Sequence, residues 1–409
     1  MARTGPGRQG GAVRYLFTCV GGPGHLNPLL PISRAVADAG HSVLWAASDS
    51  LGGLVERAGY AFHRLGPPAD RSPRERKPLI PPSPELCEWE VRENFARKAT
   101  RARLPLVRPL VADRRPDVVV CDEFDFAAMI AAEERGIPWA IVLVTAAGGL
   151  IRPDVVGEPL AEIRRECGLP ADPELTAPGR HLVLSPFPPG FRAPDTWRHD
   201  TEHAVRPPLP AVARPAEPLV YFTLGTEFGL ESGDLFERVL AGLREVPADV
   251  LVTVGREIDP AVFGPQPAHI RVERYVPQDE VLARCTAVVS HGGSGTVMGA
   301  LTHGLPHLVI PLGADQLTNA ERCVALGAGL ALDAVTATPE QVGKAVSRLL
   351  AEPAHRLAAE RLRAELAALP GPGHAADLLV RLGRPADGAA VRISPSDTSE
   401  AKGADVSGT

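Results

Sequence analysis

Two histidines and a few carboxylates in this chain stand where glycine-rich turns would leave them open to chemistry. His25 lies in Gly21-Gly22-Pro23-Gly24-His25-Leu26-Asn27-Pro28, and its glycine neighbours leave the imidazole accessible. An unperturbed imidazole titrates near neutrality, which suits a general base. The same residue could instead cap the helix that Asn27 and Pro28 announce, an N-cap followed by proline at the first helical position. A base of this kind works better when a carboxylate fixes its tautomer and steadies its positive charge. Asp122 is the candidate because it ends an apolar run, with Glu123 and Asp125 as competitors in the same turn. Farther on, His291-Gly292-Gly293-Ser294-Gly295-Thr296 joins an apolar run to a helical pattern. Such a turn lets the backbone approach a ligand and aims free N–H groups and a positive helix end at an anion. The stretch reads as a site for a phosphorylated ligand.

Several motifs are excluded. Gly293, Gly295 and Gly299 are spaced G-x-G-x-x-x-G, which is not the dinucleotide fingerprint, and no G-x-x-x-x-G-K-[ST] occurs. A tight strand–helix turn with no ligand is the competing reading of any one such loop. No D-x-D is present, so a metal clamping a diphosphate has no obvious ligands. The pairs His303/His307 and His199/His203 are four residues apart, but Pro306 breaks the first and neither has an H-E-x-x-H setting. Both pairs are assigned to structure.

The elements that must position these residues follow from apolar periodicity. Buried strands are expected at 13–20, 43–47, 61–64, 118–121, 138–145 and 182–185, alternating with helices that begin near 27, 51 and 124. Such alternation argues a parallel sheet covered by helices. Residues 66–84 are proline-rich and basic and read as a long loop. Residues 85–113 read as a charged amphipathic helix or helix pair, interrupted near Pro105 and Pro109. Residues 205–218 are proline-dense and without periodicity, a linker. The pattern then restarts, with strands at 219–223, 250–254, 270–274, 286–289 and 307–311. Helices are expected at 233–245, 297–303, 338–350, 355–369 and 374–382. The ends, 1–11 and 384–409, read as disordered.

Composition narrows the partners. With 409 residues the chain has room for two domains, and 44% hydrophobic with 22% charged residues is ordinary for a globular protein. A net charge of −6 gives no reason to expect nucleic acid or an acidic membrane. No apolar run approaches a membrane span, and the first eleven residues lack the apolar core of a signal peptide. The six cysteines are scattered with no C-x-x-C, which reads as buried reduced thiols in a cytoplasmic protein.

Taken together, Tyr275-Val276-Pro277-Gln278, His291 to Thr296, Pro311 to Gln316 with Asn319, and Gly24-His25-Leu26-Asn27-Pro28 resemble a known family. It is the nucleotide-sugar glycosyltransferases of the GT-B fold, in particular the bacterial branch that decorates natural products. The resemblance runs from Val13 to about Gly383. It implies two Rossmann-like domains with parallel sheets facing a central cleft. An acceptor domain would span 12–204 and a donor domain 219–370, with a last helix, 371–383, crossing back onto the first. It implies His25 as catalytic base, partnered by Asp122. On the donor side it implies Tyr275 stacking on the nucleobase, followed by Val276, with Gln278 near the base and ribose. His291, Gly295, Thr296 and Thr226 would contact the diphosphate, with Gly293 and Ser294 in the same turn, and Asp315 and Gln316 would hold hydroxyls of the sugar. The variable region 85–113 would wall the acceptor pocket.

The expected reaction is metal-independent transfer, with inversion, from a dTDP- or UDP-sugar to a hydroxyl of a small natural product. No cofactor is expected beyond that co-substrate. Some branches of the family carry a glutamate for the ribose hydroxyls where this chain has Gly299, which leaves room for a 2′-deoxy donor. The expected partners are the nucleotide sugar and a small-molecule acceptor, with a homodimer open as an arrangement. Two other functions share parts of this pattern. A nucleotide-sugar epimerase would bind the donor but should lack the acceptor-side G-H-L-N-P. A non-catalytic accessory protein would keep the stretch from Tyr275 to Asn319 without needing both His25 and Asp122.

Overall fold

The computed structural model describes residues 11–70, 72, 74–211, 217–225, 228–384 and 392–395. Its apolar β-branched runs build two sheets. The first holds β1 (Arg14–Thr18), β2 (Ser42–Ala47), β3 (Ala61–Arg64), β4 (Val118–Asp122), β5 (Trp139–Val142), β6 (Leu182–Ser185) and β7 (Glu202–Ala204). The second holds β8 (Leu219–Thr223), β9 (Asp249–Thr253), β10 (Ile270–Glu273), β11 (Ala287–Ser290), β12 (His307–Val309) and β13 (Gly329–Ala331). Their orders are β3-β2-β1-β4-β5-β6-β7 and β10-β9-β8-β11-β12-β13. Every pairing is parallel. The central strands are buried along their whole length, as helices on both faces require. In each sheet the order reverses once, between β1 and β4 and between β8 and β11. A crevice opens there at the carboxyl ends of the strands.

Among the contacts that tie the domains together, three involve segments outside the cleft. The helix Pro372–Gly383 follows the second domain in sequence, yet Leu378, Leu379 and Leu382 sit in the hydrophobic core of the first. Main-chain bonds also bridge the halves, among them Arg206 N–H to the Pro370 carbonyl at 2.8 Å. The third tie is a strap, residues 74–79 of the first domain, laid on the second. Lys77 N–H donates to the Leu230 carbonyl at 2.6 Å, and the Lys77 carbonyl accepts from Gly233 N–H at 3.1 Å. Arg74, Arg76 and Lys77 pair with Glu257, Glu237 and Glu231. The Arg76 guanidinium lies over the rings of Phe236 and Phe263, and Leu79 packs on the second domain's core.

Some expectations needed correction. The helix expected to start at Asn27 begins earlier: a short turn, Pro23–Leu26, is capped at Gly22, and the longer helix runs Leu30–Asp38. Residues 84–114 form one unbroken helical run, Pro84–Glu90, a π-helical stretch Val91–Ala99, and Thr100–Arg114. Pro105 and Pro109 do not interrupt it because both face solvent, where the carbonyls they free can meet water. Leu104, Val107, Leu110 and Val111 hold the opposite face in the core. Residues 392–395, expected in a disordered tail, include Ile393, which is buried; its N–H donates to the His181 carbonyl at 2.9 Å. Strands β7 and β13 escaped the sequence pattern because each has only three residues.

Candidate active site

The short turn Pro23–Leu26 leaves β1 and carries His25 toward the carboxyl end of β4. Gly21 makes this path available. Its φ is +95°, and a Cβ there would stand 2.8 Å from His25 Cδ2, so only glycine lets the ring fold back. His25 Nδ1 lies 3.3 Å from Asp122 Oδ1, close but out of line for a hydrogen bond. Alignment of that kind commonly tightens only when substrate binds. Asp122 is fully buried, and its oxygens accept from Val20 N–H at 2.6 Å and Phe124 N–H at 2.7 Å. Burial alone would lower the imidazole pKa, but the charges of Asp122, then Glu123 and Asp315, outweigh it, and the net shift is upward. Phe95, from the π-helical stretch, stacks on the ring at 5.8 Å, and Phe124 meets it edge-on at 5.5 Å.

The two competing carboxylates have other work. Asp125 caps the helix Phe126–Glu133 and is bound by Thr18 Oγ1 and Arg103. Glu123 turns to the loop after β5, where it accepts from Val144 and Thr145. Of the three, Asp122 is the one that reaches His25.

Across the cleft, the helix Ser294–Thr302 starts at the carboxyl end of β11 with Gly293 as its N-cap, so Ser294, Gly295 and Thr296 make its first turn. This start is three residues earlier than the apolar pattern suggested, because small polar residues carry no periodicity. His291 sits just before it, with Nδ1 buried and no partner at hydrogen-bonding distance. Burial lowers its pKa to about 4, only partly offset by the Thr223 carbonyl, so the ring is neutral at pH 7. Asp315 N-caps the helix Gln316–Ala325, and burial raises its pKa. Asp315 accepts from Ser294 Oγ and from Asn319 Nδ2, the latter at 2.8 Å.

The remaining donor-side residues are placed as follows. Gln278 opens the helix Gln278–Leu282 with Nε2 buried and unpartnered. Val276 packs with the small cluster around Leu282. Tyr275 is 53% exposed, and the Arg256 guanidinium lies 3.9 Å from its ring centroid, on the kind of face a nucleobase would use. Gln316 is buried, and its Oε1 accepts from Leu312 N–H at 2.7 Å and Gly313 N–H at 3.2 Å. It braces the loop that carries Asp315 and does not open that oxygen to the cleft. Thr226 lies outside the described residues. His303 and His307 bond to the Gly299 carbonyl and to Ser290 Oγ, in keeping with structural roles.

Phe95, Arg256 and the loop 144–147 lie at the site and were not singled out from sequence. Phe95 left a signal, as one of two aromatics, with Trp89, in a charged helical run. The others left none, since their part depends on which strands lie side by side.

Known proteins are similar to this chain in sequence and in fold. Residues 237–382 match the family model described as erythromycin biosynthesis protein CIII-like, C-terminal domain. The chain is 32% identical over 386 residues to L-demethylnoviosyl transferase of Streptomyces niveus, covering 89% of this chain and 97% of that one. It is 28% identical over 423 residues to TDP-daunosamine transferase of Streptomyces peucetius, covering 90% and 97%. Among solved structures, the spinosyn rhamnosyltransferase SpnG complexed with thymidine diphosphate superposes with a TM-score of 0.74 at 26% identity, covering 90% of this chain and all of that one. The likeness to these sugar transferases thus runs over about nine-tenths of the chain, in sequence and in fold. The chain belongs to the natural-product glycosyltransferases of the GT-B fold.

Proposed function

We propose that this glycosyltransferase moves a sugar from a dTDP-sugar to a hydroxyl of a small natural product, inverting the anomeric centre without a metal. The observation that carries the reading is the pairing of His25 with Asp122 at one switch point, with the donor turn and Asp315 facing it from the other. His25 Nε2 takes the acceptor proton as the acceptor oxygen attacks the anomeric carbon and the bond to the diphosphate breaks. Asp122 holds Nδ1–H and stabilises the imidazolium that results. The departing diphosphate meets the N-terminus of the helix Ser294–Thr302 and the neutral His291, which donates a hydrogen bond.

Two observations support a thymidine donor. The named relatives include a TDP-sugar transferase and a structure holding thymidine diphosphate. Gly299 offers no side chain to reach a ribose 2′-hydroxyl, and a Cβ there would press on Leu282 Cδ1 at 2.7 Å. The six free thiols support a reducing, cytoplasmic setting, and no helix of the described residues is long and apolar enough to cross a membrane. A net charge of −6 supports small-molecule partners over nucleic acid. Size-exclusion with light scattering decides between monomer and homodimer.

The test is mass spectrometry of the purified protein with dTDP- and UDP-sugars against a panel of hydroxylated natural products. A product heavier by one sugar, formed from the dTDP donor, is expected. An epimer formed from donor alone, with no acceptor product, would overturn the reading.

A further inference from the structure

Glu123 follows Asp122 in the chain but faces away from His25, into the loop after β5. Its Oε1 accepts three hydrogen bonds, from Val144 N–H at 2.7 Å, Thr145 N–H at 2.7 Å and Thr145 Oγ1 at 2.8 Å. Arg192 holds the same loop from its other side, Nη1 donating to the Thr145 carbonyl at 3.0 Å. Thr196 Oγ1 and Ala193 N–H both donate to the Ala147 carbonyl at 3.0 Å. Between Glu123 and Arg192 lies a cavity of about 20 Å³, room for one water. Glu123 is 6% exposed and Arg192 4%, and an ion so buried is costly unless its hydrogen bonds are met. Two such groups converge on Val144 and Thr145 of one short loop.

What the loop presents is a pair of backbone amides aimed out of the first domain. Ala146 N–H donates to Ser294 Oγ at 2.5 Å, and Ala147 N–H donates to Asn319 Oδ1 at 3.0 Å. Ser294 and Asn319 are the residues that bind Asp315, and Asn319 Nδ2 also donates to the Gly292 carbonyl at 2.9 Å. The first domain therefore touches the donor signature through two rigid main-chain donors, which lose no rotamer freedom on docking.

We propose that Glu123 and Arg192 are positioning residues for domain closure. They preset the loop 144–147 so that its amides dock on Ser294 and Asn319, which brings Asp315 opposite His25. The inference rests on the transfer reading above, because it takes the closed cleft as the state in which sugar moves. Ser294 and Asn319 must be in place for the amides to find acceptors, so closure also reports that the donor turn is ordered.

A double-mutant cycle in the full-length protein tests this, with Glu123→Gln, Asn319→Ala and the pair. Each single variant is expected to lower kcat about tenfold, because Glu123→Gln turns three charge-assisted hydrogen bonds into weaker neutral ones and Asn319→Ala removes the acceptor of Ala147 N–H. For Glu123→Gln the dissociation constant of dTDP, read by calorimetry, should stay within about twofold, since Glu123 lies in the other domain. In the Asn319→Ala background the Glu123→Gln change should cost about threefold or less, because part of the docking is already gone. Fully multiplying losses would overturn the proposal. Should Glu123→Gln not fold, amide hydrogen exchange in folded wild-type and Asn319→Ala proteins decides. Faster exchange at Ala147, with the rest of the first domain unchanged, is expected; protection independent of Asn319 overturns the proposal. The exchange arm needs no turnover, so it stands even if the transfer reading fails.

Discussion

Asp122 accepts two main-chain amides in a fully buried pocket, so its carboxylate is fixed before His25 engages it. Its charge opposes the burial that would otherwise lower the imidazole pKa. Below the raised pKa His25 is protonated and cannot accept a proton, so kcat/KM should rise with pH through a limb above about 6.5, the ordinary histidine value. Asp122→Asn leaves burial and weaker charges acting on the ring. The limb should move to lower pH, with a large fall in the plateau. A pH–rate profile checks this, and a limb that does not move would remove His25 as the titrating base. His25→Ala should lower kcat by roughly several hundredfold while dTDP affinity, measured by calorimetry, is nearly unchanged, because a base acts in the transition state. Retention of more than about a tenth of wild-type turnover would leave His25 a capping residue.

The run Pro84–Arg114 shows what an element adds to its residues. A π-helical stretch places Phe95 against His25, and Thr100 Oγ1 ties back to the Phe95 carbonyl at 3.0 Å. Phe95→Ala should raise the acceptor KM about three- to tenfold with dTDP binding intact, as expected for loss of one aromatic contact. Steady-state kinetics with whichever acceptor the screen returns measures it. The helix Ser294–Thr302 makes a separate prediction. If backbone donors and His291 meet the diphosphate, activity should persist without added metal and in EDTA, and strict dependence on magnesium or manganese would reject that account. How much of this was legible in the sequence follows from what each feature depends on. Strand–helix alternation and the glycine turns are local patterns, and they were readable, whereas part of the expected linker, 212–216, lies outside the described residues. The choice of Asp122 over Glu123 and Asp125 was not, since all three share one turn and only the packing of β1 against β4 separates them. Proline signals at 105 and 109 misled because the buried face of the helix outweighs two breaks on its solvent face.

Between the domains, contacts come from far apart in the chain: the strap, the amide loop, residues 205–206 and the helix Pro372–Gly383. Arg76→Ala removes a pair with Glu237 and contacts with two rings. It should lower stability by about 1–2 kcal/mol and reduce kcat while sparing dTDP affinity, as thermal denaturation and calorimetry can show. An unchanged melting temperature would make the strap an idle contact. The strap bears on engineering by recombination. Joining the first domain of one such enzyme to the second of another, with a crossover in residues 205–218, treats that linker as the boundary between interchangeable modules. By its contacts, however, the segment 74–79 is inherited with the second module, since its basic side chains, its leucine and Gly233 fit one another. A simple hybrid would seat one parent's strap in the other parent's groove. Grafting residues 74–79 from the donor-domain parent should restore folding and transfer to hybrids that otherwise fail.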